Sequence, residues 1–316
     1  MNYRASKLII GLLACVLAAC GGGGEYPQDD ITIVIPYNPG GGFDTFVRAL
    51  ARSLENQLPE GINVIAKNSP GAGGRRGAND VYRARPDGYT IGAFNLPGVL
   101  VPELQKLPIG YKLSEVSWLV TIGSDPYAYS VRGDSQLASI DDVKALGRSI
   151  LYGATGPGST AYIATNIFNE VLGIPYEVVT GYTGSSSYVL GLIRGDFDAA
   201  LIPLSTARSY IESGDIRALA IIGAKSDDPQ VADAYTLGEP QLGDIKVVRM
   251  IGGPPGLPDD IKAMLEKALL AAMQDSEFKE WLRSTGNKAQ PAGSQDTAAA
   301  VAEMSEFYEN FEQFLN

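Results

Sequence analysis

Glycine-rich turns that precede amphipathic segments hold the clearest potential for chemistry in this chain. The first of them, 40–42, follows the apolar run 31–35 and leads into Phe43 and Asp44. This order predicts a strand, a tight loop and a helix N-terminus. Unpaired N–H groups at a helix N-terminus favour an anion, and glycines let a ligand approach the main chain closely. The stretch is therefore either an ordinary turn of an α/β protein or one half of an anion-binding site.

Similar turns recur later in the chain, which favours the binding interpretation. They lie at 68–74, 154–160 and 181–187. In the turn at 154–160, Ser159 and Thr160 begin a predicted helix. Each hydroxyl there either caps the helix or donates to a ligand carboxylate.

Charged and aromatic side chains beside the turns each allow two interpretations. Arg75 is either a solvated loop charge or a bidentate partner for a carboxylate. Tyr37 and Tyr182 either line a cleft or pack within the protein. Asp44 complements the dipole of its predicted helix. It would repel an anion unless it faced an amine, a hydroxyl or a bridging water.

Histidine is absent from all 316 residues. This excludes Ser-His-Asp catalysis, histidine-ligated zinc and imidazole acid–base chemistry. The formal net charge of −11 argues against a nucleic-acid-binding protein, since such a protein needs a basic face. Nothing in the sequence requires a metal or a cofactor, and we expect neither.

The N-terminus carries the pattern of an export signal. Two basic residues precede an apolar run, 8–19, that is too short to span a bilayer. The run ends in Leu-Ala-Ala before Cys20, which resembles a bacterial lipobox. The resemblance implies cleavage of a signal peptide, 1–19, and lipidation of the Cys20 thiol. Together with the glycines that follow, the lipidated cysteine would form a flexible tether over 20–29.

The turns need a scaffold of alternating strands and helices. Strand and helix patterns alternate over 31–94 and again over 149–222, which implies parallel sheets with right-handed crossovers. From Asp259 the pattern is helical, and three helices without a strand are expected to return and cover the first unit. Chain crossings near 124–127 and 247–253 would then form a hinge. The sequence thus predicts an α/β protein with two lobes.

Seven short motifs, in order along nearly the whole mature chain, resemble those of one family. They are Pro36 to Asp44, Pro70 to Gly74, Pro86 to Thr90, Gly156 to Ser159, Tyr182 to Gly184, Leu192 to Asp198 and Gly214 to Ala220. Each is weak alone, but together they resemble the Bug/TctC-type substrate-binding proteins of tripartite tricarboxylate transporters. Some positions depart from the family pattern: Tyr162 stands where a histidine is frequent, and Arg75 where an asparagine is frequent.

The resemblance implies a two-lobed, Venus-flytrap fold of the type II periplasmic-binding-protein kind, with a ligand cleft between the lobes. Lobe 1 would comprise 30–123 and 249–316, and lobe 2 would comprise 124–248. Loops after the first strands of each lobe would grip a di- or tricarboxylate or a related organic acid, partly through ordered water. The residues expected to contact ligand are Tyr37, Asn38, Gly40, Gly41, Gly42, Asp44, Ser69, Gly71, Ala72, Gly73, Arg75, Thr155, Gly156, Gly158, Ser159, Thr160, Tyr182 and Gly184.

The resemblance also implies a role in transport outside the cytoplasm. The protein would be a monomeric, membrane-anchored lipoprotein of the periplasm or outer cell surface, which delivers its carboxylate to transporter subunits in the membrane. It would not be an enzyme. Two alternatives stay open: a sensor that reports ligand to a signalling partner, and a secreted hydrolase that uses Ser159. The hydrolase needs a Ser-Lys arrangement, yet no motif ties Lys144 or Lys225 to that serine.

Overall fold

The computed structural model describes residues 26–314. The predicted signal peptide, Cys20 and the first part of the predicted tether lie outside the described residues. At the end of that tether segment, the Tyr26 and Tyr89 ring centroids are 5.2 Å apart. The Tyr26 hydroxyl also donates to the Gly88 carbonyl over 2.8 Å. These contacts fasten the start of the described chain to the turn around Gly88.

Strands and helices alternate along most of the chain, as the sequence predicts. The strands are β1 (Ile31–Ile35), β2 (Val64–Asn68), β3 (Thr90–Leu96), β4 (Ser117–Asp125), β5 (Tyr127–Arg132), β6 (Ile150–Gly153), β7 (Tyr176–Val179), β8 (Ala199–Pro203), β9 (Ile216–Ile222), β10 (Ala232–Asp233) and β11 (Val247–Gly253). The helices are α1 (Gly42–Glu55), α2 (Arg75–Tyr82), α3 (Val101–Leu104), α4 (Ile140–Ala145), α5 (Thr160–Leu172), α6 (Ser185–Arg194), α7 (Leu204–Glu212), α8 (Asp259–Gln274), α9 (Ser276–Thr285) and α10 (Ser294–Glu309). Within residues 26–314, no helix is long and apolar enough to cross a membrane.

Five strands form the sheet of the first lobe, in the order β2-β1-β3-β11-β4. β1 pairs in parallel with β2 and β3, which agrees with the prediction for this unit. β11 instead runs antiparallel to both β3 and β4, whereas the sequence predicts a chain crossing at 247–253. Every residue of β11 is buried. The apolar segment is therefore a central strand, and the chain has returned to the first sheet by Val247.

Six strands form the sheet of the second lobe, in the order β10-β9-β5-β8-β6-β7. β6 is parallel to β7 and β8, while β5 is antiparallel to β8 and β9. Only Pro126 separates β4 from β5, so the chain passes from one sheet to the other almost without a break. The return crossing lies between β10 and β11. Two chain crossings of this kind permit hinge motion between the lobes.

Helices with one apolar face hold the first sheet in place. Phe46, Leu50 and Leu54 of α1 recur at four-residue spacing, so they share one face, and all three are buried. The Phe46 ring lies edge-on to the rings of Phe278 and Trp281 in α9. α8 packs against α1 and β4, and α10 packs against β4 and α3. The three C-terminal helices thus cover the first lobe, as the sequence predicts.

Candidate functional site: a cleft between the lobes

A cleft with a cavity volume of about 90 Å³ lies between the two sheets. Both lobes contribute to its walls. The lining residues are Tyr37, Asn38, Gly41, Gly42, Phe43, Asp44, Asn95, Thr155, Ser159, Thr160, Ala161, Thr183, Gly184, Ser185, Tyr188, Pro203, Thr206, Val247 and Arg249.

Four helices begin at the cleft: α1 from the first lobe, and α5, α6 and α7 from the second. Their first-turn residues in the lining are Gly42, Thr160, Ser185 and Thr206. Gly41 and Gly184, the N-caps of α1 and α6, have no side chain that could occupy the first N–H groups of those helices. Because the first turns of these helices lie at the cleft, the positive ends of their dipoles are close to it, which favours an anion.

Tyr37 and Asn95 lie together where one wall of the cleft meets its floor. Tyr37 follows β1, and its half-buried ring lies 5.1 Å from the ring of Phe43, centroid to centroid. Asn95 of β3 is 7% exposed, and its Nδ2 donates to the Tyr37 hydroxyl over 3.1 Å. Burial raises the pKa of Tyr37 to about 12, although the bond from Asn95 acts in the opposite direction. The hydroxyl therefore keeps its proton at physiological pH and can donate to an anion.

The Asp44 carboxylate holds the first glycine turn in place. Its Oδ2 accepts from the Gly40 N–H over 2.9 Å, and both of its oxygens accept from Arg48 Nε over 3.0 Å. Asn68 Nδ2 donates to Oδ1 over 2.7 Å. Burial opposes ionisation, but these hydrogen bonds outweigh it and lower the pKa of Asp44. The carboxylate is thus charged and paired with Arg48, which limits its repulsion of an anion in the cleft.

A buried ion pair lies at the floor of the cleft. Arg249 of β11 donates from Nη2 to Asp125 Oδ2 over 2.6 Å, and both side chains are 6% exposed. The Arg249 guanidinium also lies over the Phe46 ring, 4.9 Å from its centroid. Asp125 ends β4 and accepts from the Ser205 N–H over 3.1 Å, in the first turn of α7. The pair therefore connects the floor of the cleft in the first lobe to a helix of the second lobe.

The two lobes touch at the rim of the cleft. A Cβ added at Gly73 would lie 3.0 Å from the carbonyl of Gly158 in the second lobe. Asn38 Nδ2 lies 3.5 Å from the Thr183 carbonyl, which also belongs to the second lobe. The structure therefore has its lobes in contact.

Half of the residues predicted to contact ligand line the cleft. They are Tyr37, Asn38, Gly41, Gly42, Asp44, Thr155, Ser159, Thr160 and Gly184. The other half lie elsewhere in the same turns and helix starts. They are Gly40, Ser69, Gly71, Ala72, Gly73, Arg75, Gly156, Gly158 and Tyr182.

Three of these other side chains have partners outside the cleft. Ser69 Oγ donates to Asp80 Oδ2 over 2.5 Å. Arg75 Nε donates to a carbonyl of its own turn over 2.8 Å. The Tyr182 hydroxyl donates to Asp196 Oδ2 over 3.2 Å. Each bond fixes a turn or a helix start, so these residues shape the site without lining it.

Much of the floor and of the second wall was not predicted. The lining residues that were not among the predicted ligand contacts are Phe43, Asn95, Ala161, Thr183, Ser185, Tyr188, Pro203, Thr206, Val247 and Arg249. A usable signal existed for two of them. Arg249 interrupts the apolar run 247–251, and Asn95 stands between Phe94 and Leu96. A polar residue inside a buried strand needs a polar partner, which marks such positions for attention.

The site offers hydrogen-bond donors without a catalytic arrangement in residues 26–314. No group of three or more His, Cys, Asp or Glu in that range could hold a metal ion. Ser159 Oγ accepts from the Tyr162 N–H over 3.3 Å and so caps α5. A serine nucleophile needs a base within hydrogen-bond reach, and no described base makes that bond. The hydrogen-bond donors and helix starts in the lining make the cleft a candidate site for an anion.

A model of the family described as "Tripartite tricarboxylate transporter family receptor" matches residues 46–311. The chain belongs to this receptor family. Among curated relatives, the receptor is 27% identical to Protein BugT of Bordetella pertussis over 296 residues, which cover 90% of each chain. The family resemblance predicted from the seven motifs is thereby confirmed.

Solved structures share the fold of the receptor. A structure of the periplasmic binding protein BugD has a TM-score of 0.81 and 25% identity, covering 92% of the receptor and 98% of BugD. The structure of MatC from Rhodopseudomonas palustris with bound malate has a TM-score of 0.80 and 21% identity, covering 92% and 100%. The predicted α/β fold of the periplasmic-binding-protein kind is confirmed. The receptor family and these neighbours are solute-binding proteins rather than enzymes.

Proposed function

We propose that the receptor captures a small carboxylate between its lobes outside the cytoplasm and delivers it to a membrane transporter. One observation carries the proposal: four helix N-termini from two lobes converge on one cleft of small-molecule size. N-terminal N–H groups and helix dipoles stabilise carboxylate oxygens. They lie within hydrogen-bond distance of a bound ligand, which is shorter than the distance of about 8 Å over which physiological salt screens charges. The acidic surface of the protein, which lies farther away, does not prevent this.

The two-sided arrangement suits a ligand with polar groups at both ends. The turn before α1 offers donors from the first lobe, and the turn from Thr155 to Thr160 offers donors from the second. A molecule that contacts both turns stabilises the closed arrangement of the lobes. Closure then presents a surface to the transporter that the open protein lacks.

The relatives support a carboxylate as ligand and a location outside the cytoplasm. MatC, whose fold matches over nearly the whole chain, was solved with bound malate. BugD is a periplasmic binding protein. The N-terminal pattern that ends at Cys20 supports a lipid anchor, and we propose that the receptor works as an anchored monomer. No observation on the site favours the sensor or the hydrolase.

Mass spectrometry of the denatured, purified protein is the first test, because a tightly held ligand can survive purification. The second is a thermal-unfolding panel of mono-, di- and tricarboxylates. A ligand present at a hundred times its Kd adds about 2.7 kcal/mol to the free energy of unfolding. A small organic acid in either experiment is the expected result. If no acid co-purifies and none shifts the unfolding temperature, the proposed function is wrong.

A variant at Gly42 tests the cleft as the place of binding. A Cβ at this residue would lie 3.3 Å from Thr206 Oγ1 of the second lobe, so Gly42→Val should fill part of the cleft between the lobes and weaken binding. Gly243→Val is the matched control, because a Cβ there meets its first neighbour only at 3.8 Å and lies outside the cleft. Equal ligand affinity in both variants would place the ligand elsewhere.

A further inference from the structure

Asn95 and Arg249 lie side by side at the floor of the cleft. They are direct partners in the antiparallel pairing of β3 with β11, and both line the cavity. The two residues are 7% and 5% exposed. Side chains at directly opposed positions share one face of a sheet and lie within reach of one another. A ligand group at the floor therefore meets both residues at once.

Asn95 presents a hydrogen-bond acceptor there. Its Nδ2 donates to the Tyr37 hydroxyl, while its buried Oδ1 has no partner among residues 26–314. Because Nδ2 is engaged by the Tyr37 hydroxyl, Oδ1 is the end of the amide that is left to accept a hydrogen bond from a ligand. An ionised carboxylate only accepts hydrogen bonds and cannot satisfy this atom.

Arg249 presents a hydrogen-bond donor beside Asn95 at the floor of the cleft. Its Nη2 is held by Asp125 and its guanidinium lies over the Phe46 ring. Its buried Nε has no partner within the described chain. Because the ion pair and the ring fix the side chain, Nε offers one N–H in a set direction. That N–H suits a single carboxylate oxygen.

We propose that this floor pair recognises a 2-hydroxycarboxylate, with a carboxylate oxygen accepting from Arg249 Nε and the adjacent hydroxyl donating to Asn95 Oδ1. The inference rests on the proposed function and names the class of acid. A 2-amino acid also carries a donor, but its ammonium group would lie beside the guanidinium and be repelled. A 2-oxo acid or an unsubstituted acid has no donor and leaves Asn95 Oδ1 buried without a partner, which is unfavourable.

Isothermal titration of the unchanged protein with matched acids tests the proposal. The probes are both enantiomers of malate, then succinate, which lacks only the hydroxyl, and aspartate, which replaces it with an ammonium group. One enantiomer of malate should bind about tenfold to a hundredfold more tightly than succinate, and more tightly than aspartate. Equal binding of malate and succinate, or preference for aspartate, would overturn the proposal while leaving carboxylate binding intact.

Two variants test whether Asn95 causes the preference for malate over succinate. Asn95→Leu removes the acceptor at similar volume, and it should bring malate and succinate to nearly equal affinity. Tyr37→Phe removes the same Tyr37–Asn95 bond but keeps Oδ1, so it should lower the affinity for malate and succinate alike and retain the preference for malate. If Asn95→Leu still preferred malate to succinate, another group would accept the hydrogen bond from the ligand hydroxyl, and the proposal would be wrong. If no acid of the set or of the wider panel binds the unchanged protein, the proposed function fails together with this inference.

Discussion

Gly73 of the first lobe and Gly158 of the second meet so closely that a Cβ on Gly73 would lie 3.0 Å from the Gly158 carbonyl carbon and oxygen. Real Cβ atoms rarely approach a backbone carbonyl more closely, and neither partner here is a flexible side chain. The two residues belong to different glycine-rich turns of the sequence. Their contact shows what the paired turns do in this fold: besides offering N–H groups, they let the lobes come together.

Gly73→Ala should hold the lobes apart and lower ligand affinity about tenfold, which corresponds to roughly 1.4 kcal/mol. Gly256→Ala is the control, because Gly256 has a similar left-handed backbone, with φ of +77° against +68°, but has nothing within 4 Å. Both variants should lose about 1–2 kcal/mol of stability from backbone strain. Titration calorimetry and small-angle scattering with ligand would check this. Unchanged affinity and compaction in Gly73→Ala would mean that closure tolerates a side chain at this contact.

The glycine turns and the two-lobed fold could be predicted because their signals are local. The run 31–35, the glycines 40–42 and the apolar spacing that begins at Phe43 all lie within 31–54, and each is a local pattern of the chain. The helical tail from Asp259 is equally plain in the sequence. Repetition of the pattern then predicts two units.

The floor of the cleft could not be predicted because it depends on distant strand pairing. Arg249 faces Asn95 only because β11 inserts between β3 and β4, and the partner of Arg249 is 124 residues away in sequence. Side-chain direction is a second limit. Tyr182 turns to Asp196 rather than to the cleft, and the flanking sequence carries no signal for that choice.

Arg249→Met should destabilise the protein by about 3–5 kcal/mol, because it leaves the buried Asp125 carboxylate without its counter-charge. Arg283→Met is the matched control, since Arg283 pairs with Glu280 on the surface, where an ion pair contributes at most about 1 kcal/mol. Urea unfolding measures both. The double variant Asp125→Asn/Arg249→Met should lose less than the sum of its single changes. Additive losses would show that the pair is not coupled.

The pH dependence of the free energy of unfolding should reflect the ionisation of the Asp44 carboxyl group. Hydrogen bonds to its carboxylate hold its pKa in the folded protein below the ordinary 3.8. Ionised Asp44 therefore stabilises the fold above that value, and the contribution is lost as the pH falls through the lowered pKa. Asp44→Asn should lose about 2 kcal/mol at pH 7 and show a flatter profile than the native protein as the pH falls below 3.8.

Urea unfolding at a series of pH values makes this comparison. Asp227→Asn, in an exposed loop, should keep the native profile. If Asp44→Asn kept it too, the bonds from Arg48 and Gly40 would not be the cause of acid sensitivity.

The capping role of Ser159 can be tested separately from ligand contact, because Ser139 caps a helix but does not line the cleft. Ser159 Oγ caps α5 at the cleft, and Ser139 Oγ caps α4 by accepting from the Asp142 N–H. Removing either hydroxyl should lower the free energy of unfolding by about 1 kcal/mol. Only Ser159→Ala should also weaken ligand binding, since Ser139 does not line the cleft.

Thermal unfolding and titration with the acid found in the panel would measure the two effects in both variants. If Ser159→Ala bound ligand as tightly as Ser139→Ala, the Ser159 hydroxyl would be a helix cap and nothing more. The donors of the second lobe would then be the main-chain N–H groups of α5 and α6. Product formation that disappears in Ser159→Ala would instead show that Ser159 is a nucleophile and would contradict the binding role. We do not expect this outcome, because a serine nucleophile needs a base and no described base makes a hydrogen bond to Ser159.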